Sequence, residues 1–146
     1  MVCRLALLAA IVLTVSVARS QEGLVEGFEI EKSDIALERL AQSNTPFDCV
    51  GRKFAILGAE SGVFEAWAYP LKLFRNFELS FFIANSTEPI RGRDIVRFIS
   101  VSPEATILTY TAQSFTVRSI VLTPVNEPGA LLLLEIDSSE PYSSYV

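Results

Sequence analysis

From Glu104 the chain reads EATILTYTA to Ala112, SFTVRSIVLTP from Ser114 to Pro124, NEPG from Asn126 to Gly129, and ALLLLEID from Ala130 to Asp137. The first two segments are rich in β-branched and aromatic residues, which favour the pleated backbone, and they read as a hairpin pair. NEPG carries the residues of a turn and leads into a third apolar strand. Upstream, DIVRFISV (Asp94 to Val101) is β-branched and apolar on both faces, as expected of a central strand, and Ser102-Pro103 turns the chain after it. FELSFFI (Phe77 to Ile83) places Phe77, Leu79, Phe81 and Ile83 on one face. VFEAWAYP (Val63 to Pro70) alternates, with Phe64, Ala66 and Ala68 facing one way and Glu65, Trp67 and Tyr69 the other.

These segments make six or seven strands at roughly ten-residue spacing, with turn residues between them and no helical segment separating them. A parallel α/β sheet is excluded on that pattern. The expected fold is mainly β, an antiparallel sandwich. One short N-terminal helix is expected over SDIALERLAQ (Ser33 to Gln42), with Ser33 as its N-cap and Leu37 and Leu40 as an i,i+3 pair. Pro46 ends that element and constrains Thr45 before it.

The N-terminus has the three-part pattern of a secretory signal: Arg4, an apolar run from Leu5 to Val17, then Ala18-Arg19-Ser20 with small residues where a signal peptidase reads. The run is shorter than the roughly 20 residues a bilayer span needs, so no stable membrane anchor is expected after cleavage. The expected organisation is a signal peptide over 1–20, a polar lead-in and short helix over 21–46, and a β-sandwich domain over 47–146. The serine-rich tail SSEPYSSYV directly follows an apolar strand without a closing element, which points to truncation of the sandwich at its C-terminal side, the alternative being a natural edge.

Removal of residues 1–20 takes away Arg4 and Arg19 and leaves ten cationic side chains against seventeen acidic ones, a net charge of −7. Such a chain repels phosphate backbones and has no clustered basic stripe, which excludes nucleic acid as a natural partner. Cys49 is the one cysteine after the signal, so no internal disulfide can form, and export without a disulfide fits a bacterial periplasmic or extracellular protein. The chain has no histidine. Ser-His-Asp triads, Cys-His dyads and most zinc sites are thereby excluded, and no phosphate loop, dinucleotide fingerprint or metal-ligand spacing appears, so no cofactor is expected. Cys49 lacks an activating partner.

The side chains that could contact a substrate are Glu65, Trp67 and Tyr69, with Lys72 and Arg75 just beyond. On one strand face they would follow one another about 7 Å apart. Aromatic rings stack on sugar faces, and carboxylates and cations bind hydroxyls. The competing reading packs Trp67 and Tyr69 in a sandwich core or an interdomain seam. Acid pairs such as Glu60 with Glu65, or Glu88 with Asp94, could be set out for glycoside hydrolysis, but any acidic surface offers such pairs. Arg91-Gly92-Arg93-Asp94 reads as a charged turn held by local ion pairs, and Asn85-Ser86-Thr87 matches a glycosylation sequon.

Two long stretches carry a resemblance: TPFDCVGRKFAILGAESGVFEAWAYPLKLFRNFELSF (Thr45 to Phe81) and PEATILTYTAQSFTVRSIVLTPVNEPGALLLLEID (Pro103 to Asp137), with the RGRD turn between them. Together they resemble the N-terminal region of large secreted bacterial glycogen-debranching-like, or six-hairpin, glycosidases. The resemblance implies a supersandwich-type β-domain preceding an (α/α)6 catalytic barrel, with a parent enzyme acting on α-glucan or related oligosaccharides. The family's catalytic acids lie in the barrel, so no catalytic residue carries over to this chain. It also implies that the strand bearing Glu65, Trp67 and Tyr69 packs near the barrel or its sugar cleft. The alternative is a stand-alone exported module that binds carbohydrate or protein.

Overall fold

The computed structural model describes residues 34–83 and 87–139. Residues 1–33, on which the expected signal peptide, the polar lead-in and the expected N-cap Ser33 fall, the sequon residues Asn85 and Ser86, and the tail from Glu140 lie outside them. The described chain is an antiparallel β structure of two packed sheets. The larger sheet contains β1 (Leu37–Leu40), β8 (Val96–Val101), β9 (Thr106–Thr111), β10 (Phe115–Leu122) and β11 (Leu131–Ser138), in that spatial order. The smaller contains β2 (Pro46–Val50), β3 (Phe54–Ala59), β4 (Val63–Ala68) and β5 (Leu71–Phe77), in sequence order. A two-stranded ribbon, β6 (Ser80–Phe81) with β7 (Ile90–Arg91), and one helical turn, α1 (Gly92–Ile95), connect β5 to β8.

The period-two pattern decides which faces meet. In the smaller sheet Phe47, Phe54, Ile56, Phe64 and Ala66 are buried; in the larger, Ile99, Leu108, Tyr110, Val117 and Val121 are. These ten form one continuous core. Phe64 lies at its centre, edge-on to Phe47 with ring centroids 6.5 Å apart and tilted against Phe77 at 4.7 Å. Phe81 closes the end of the sandwich against Tyr110 and Phe115 at 5.5 and 5.3 Å. The hairpin expected from residues 104–124 is formed by β9 and β10, with Val117 opposite Tyr110 and Ser119 opposite Leu108. Of DIVRFISV, Val96–Val101 form β8, an inner strand paired with β1 on one side and β9 on the other, while Asp94 and Ile95 belong to α1 and Phe98 stays partly exposed on the outer face.

Two local expectations are corrected. Residues 37–40 are not helical: they form β1, antiparallel to β8, with Leu37 opposite Val101 and Arg39 opposite Ile99. A segment this short has little helical stability of its own, so pairing with an otherwise open edge of β8 decides its conformation. Among the described residues the one short helix is α1, which begins at Gly92. The second correction concerns FELSFFI, whose strand lies earlier, at Leu71–Phe77. Register shifts between β4 and β5 break the simple alternation there and hide it from a period-two reading.

Gly92 is required at its position. Its N–H donates to the carbonyl of Leu79 at 2.8 Å, and a Cβ there would stand 2.9 Å from that same oxygen and 3.0 Å from the Tyr110 ring. The β3–β4 turn imposes a similar demand, since Gly62 has φ +85° and sits under the Tyr110 hydroxyl.

Candidate functional site

β4 directs alternate side chains to opposite sides of its sheet. Phe64 and Ala66 enter the core, while Glu65 and Trp67 stand on the outer face. Trp67 lies across from Ala55 on β3 and from Lys72 on β5. The small Ala55 leaves room for the indole to lie over the sheet. The Trp67 Nε1–H donates to Glu65 Oε1 at 2.7 Å, and the Lys72 ammonium donates to Glu65 Oε2 at 2.7 Å. The same ammonium stands 4.5 Å from the centroid of the Trp67 ring, a cation–π contact. Glu65 thus has a donor on each oxygen. The hydrogen bond from Lys72, followed by that from Trp67, holds its carboxyl below the usual carboxylate range.

Tyr69 lies one residue beyond the end of β4, before the cis Tyr69–Pro70 bond, and is 85% exposed. Its backbone N–H donates to the Lys53 carbonyl at 3.1 Å, which fixes the main chain while the ring stands in solvent. The structure therefore brings Glu65 and Trp67 into one hydrogen-bonded group with Lys72 and leaves Tyr69 as a separate exposed ring at its margin. Neither Trp67 nor Tyr69 fills the sandwich core.

The acid pair Glu60 with Glu65 is not assembled. Glu60 is 2% exposed at the β3–β4 turn and accepts from Arg39 Nη1 and from the Gln42 N–H, each at 2.8 Å, with a second Arg39 contact to its other oxygen. Tertiary packing alone brings Arg39 to Glu60, across twenty-one positions of sequence, and no local motif marks it. Within the RGRD turn, Arg93 Nε donates to Glu78 Oε1 at 2.6 Å, and Arg93 also bonds the other carboxylate oxygen. This ion pair depresses the Glu78 carboxyl and raises the Arg93 guanidinium. Cys49 is half-buried, its Sγ 3.8 Å from the Val121 carbonyl.

Among the described residues no group of His, Cys, Asp and Glu is arranged to hold a metal ion, and no helix is long and apolar enough to cross a membrane. What the outer face of β4 offers chemically is binding: an aromatic plane, a polarised carboxylate, an ammonium and an exposed phenol. Comparison of the chain with protein-family models, with curated proteins and with solved structures finds no match.

Proposed function

We propose that this chain is the front portion of an exported glycoside hydrolase acting on α-glucan or related oligosaccharides, and that its β-sandwich is a non-catalytic domain that shapes the sugar cleft. The observation that carries the reading is the Glu65–Trp67–Lys72 group with Tyr69 beside it: rings that can stack on a pyranose, next to charged atoms that can bond its hydroxyls. The resemblance of residues 45–81 and 103–137 to the glycogen-debranching-like glycosidases supports it, as does the sandwich architecture. The catalytic acids and the (α/α)6 barrel then belong to sequence following this domain. The test is the genomic sequence downstream of codon 146. An open frame of several hundred codons with repeated amphipathic helices supports the enzyme; a stop codon with no barrel nearby removes it.

A second reading, a stand-alone exported carbohydrate- or protein-binding module, is favoured by the continuous core and by the absence, among the described residues, of any buried side-chain nitrogen or oxygen without a partner. Trp67 is the only tryptophan, so its fluorescence reports directly on this face. Titration with maltodextrins should quench or shift that emission, and Trp67→Ala should abolish binding. An unchanged emission up to millimolar sugar would count against the carbohydrate form of both readings.

A further inference from the structure

On the outer face of the smaller sheet, Val50, Ala55, Trp67 and Lys72 lie opposite one another on β2, β3, β4 and β5. The row is uneven around the indole. Ala55 has only a methyl group, so the ring can settle over the sheet on that side. On the other side Lys72 has a stem long enough to carry its ammonium over the ring. A break in register puts it there. Ala66 pairs with Phe74, and regular alternation from that pair would set Leu73 opposite Trp67. The bulge in β5 sets Lys72 there instead. Bulges commonly re-aim a side chain in this way beside a functional site.

The ammonium is held at two points. It stands 4.5 Å from the centroid of the Trp67 ring and 2.7 Å from Glu65 Oε2. Glu65 accepts the indole N–H on its other oxygen at 2.7 Å, so one carboxylate ties the ammonium and the ring together. Stacked rings lie with their centroids about 4.5–7 Å apart. The ammonium therefore stands in the space that a pyranose stacked on that face of Trp67 would fill. The closure is weak. The Lys72 side chain is 37% accessible and that of Glu65 31%. At such exposure an ion pair is screened by salt, and a cation–π contact shifts an equilibrium only a few-fold.

We propose that Lys72 is a latch on this site: in the free protein its ammonium, tethered to Glu65, covers the face of Trp67, and a sugar ring stacks there only after the ammonium swings away. The ligand rests on the carbohydrate reading given above, whereas the closed state is a property of the chain alone. Opening needs no movement of the sheet. β5 is an edge strand, and Lys72 can turn its ammonium to water or to a hydroxyl of the incoming sugar. The latch also gives the site an unusual response to salt. A neutral sugar has no charge to screen, so its stacking on an open indole is indifferent to ionic strength. With the latch in place, salt loosens the Lys72–Glu65 pair, frees the ring and tightens sugar binding.

Two measurements on the full chain test the latch. Acrylamide quenching of the single tryptophan, without sugar, reports how open the ring is. Calorimetric titration with maltodextrin reports binding. Lys72→Ala should raise the quenching constant about twofold and tighten maltodextrin binding about three- to tenfold, the two lost contacts being worth a few-fold each. Lys72→Arg should do neither, because a guanidinium also stacks on an aromatic face. Raising sodium chloride from about 0.02 M to about 0.5 M should increase quenching of the unsubstituted chain and tighten its binding about two- to threefold, and should leave Lys72→Ala unchanged. If salt and Lys72→Ala both open the ring to acrylamide and neither protein binds maltodextrin, the latch stands and the carbohydrate reading falls. If maltodextrin binds both proteins alike at every salt concentration, the carbohydrate reading stands and the latch falls. Quenching that is equal in Lys72→Ala and the unsubstituted chain also overturns the latch.

Discussion

The guanidinium of Arg39 on β1 grips the carboxylate of Glu60 at the β3–β4 turn, tying the first strand of the larger sheet to the smaller sheet. The two partners differ in exposure: the Arg39 side chain is 33% accessible and that of Glu60 2%. Removal of either is therefore not equivalent. Arg39→Ala strands a buried carboxylate and should cost about 3 kcal/mol, within the range for breaking a buried pair. Glu60→Ala leaves a cation that can turn to water and should cost less, about 2 kcal/mol. Urea unfolding of both variants checks the order; equal costs would show that Glu60 is as well solvated as Arg39.

Gly62 and Tyr110 make a second coupled pair. A Cβ at residue 62 would stand 2.5 Å from the Tyr110 hydroxyl and 3.2 Å from its ring, at a φ of +85°. Gly62→Ala should destabilise by about 2–3 kcal/mol, the backbone part alone being roughly 1 kcal/mol or more. In Tyr110→Phe the nearest clashing atom is gone, so the double variant should lose less than the sum of the singles. Additivity in the thermodynamic cycle would mean that the cost is backbone strain alone.

Acid titration should be visible through Trp67. Glu65 is held below its ordinary 4.5 by Lys72 and Trp67, so its contacts are complete above that pH and are lost as the pH falls through its lower folded-state value. Tryptophan emission should stay flat from pH 7 to 4.5 and change below it. In Glu65→Gln that change should vanish. A transition centred above pH 4.5, or one that survives the substitution, would contradict the hydrogen bonds described.

Burial sets the cost of truncating leucines on the larger sheet. Leu108 is fully buried between the sheets, so Leu108→Ala should cost about 3–4 kcal/mol. Leu134→Ala, at a half-exposed edge, should cost about 1 kcal/mol or less. Thermal or urea denaturation at micromolar protein gives both values.

The strands of the C-terminal half are legible in the sequence because each carries its own pattern. Segments 104–112, 114–124 and 130–137 are rich in β-branched and apolar residues, and Ser102-Pro103 and NEPG mark the turns. The alternation of β4 likewise separates Phe64 and Ala66 from Glu65 and Trp67. β1 is misread because Leu37 and Leu40 satisfy a helical spacing equally well, and only β8, far along the chain, decides between the two. β5 is hidden because its bulged register leaves Leu71, Leu73 and Phe74 without a regular period. At the site, Glu65 and Trp67 follow from alternation, whereas Lys72 joins them through cross-strand pairing. The burial of Glu60 has no local signature at all.

The pairing of Leu37 with Val101 also has a consequence in time. A chain made from its N-terminus presents β1 first, yet β1 has no partner until β8 has emerged. The hairpins β2–β3, β3–β4 and β4–β5 can close locally with little loss of chain entropy, while β1 must wait for a long loop to close. The smaller sheet can thus assemble first and hold Glu60 in place, so that the last step of sealing the sandwich is the return of Arg39 to a carboxylate already in position.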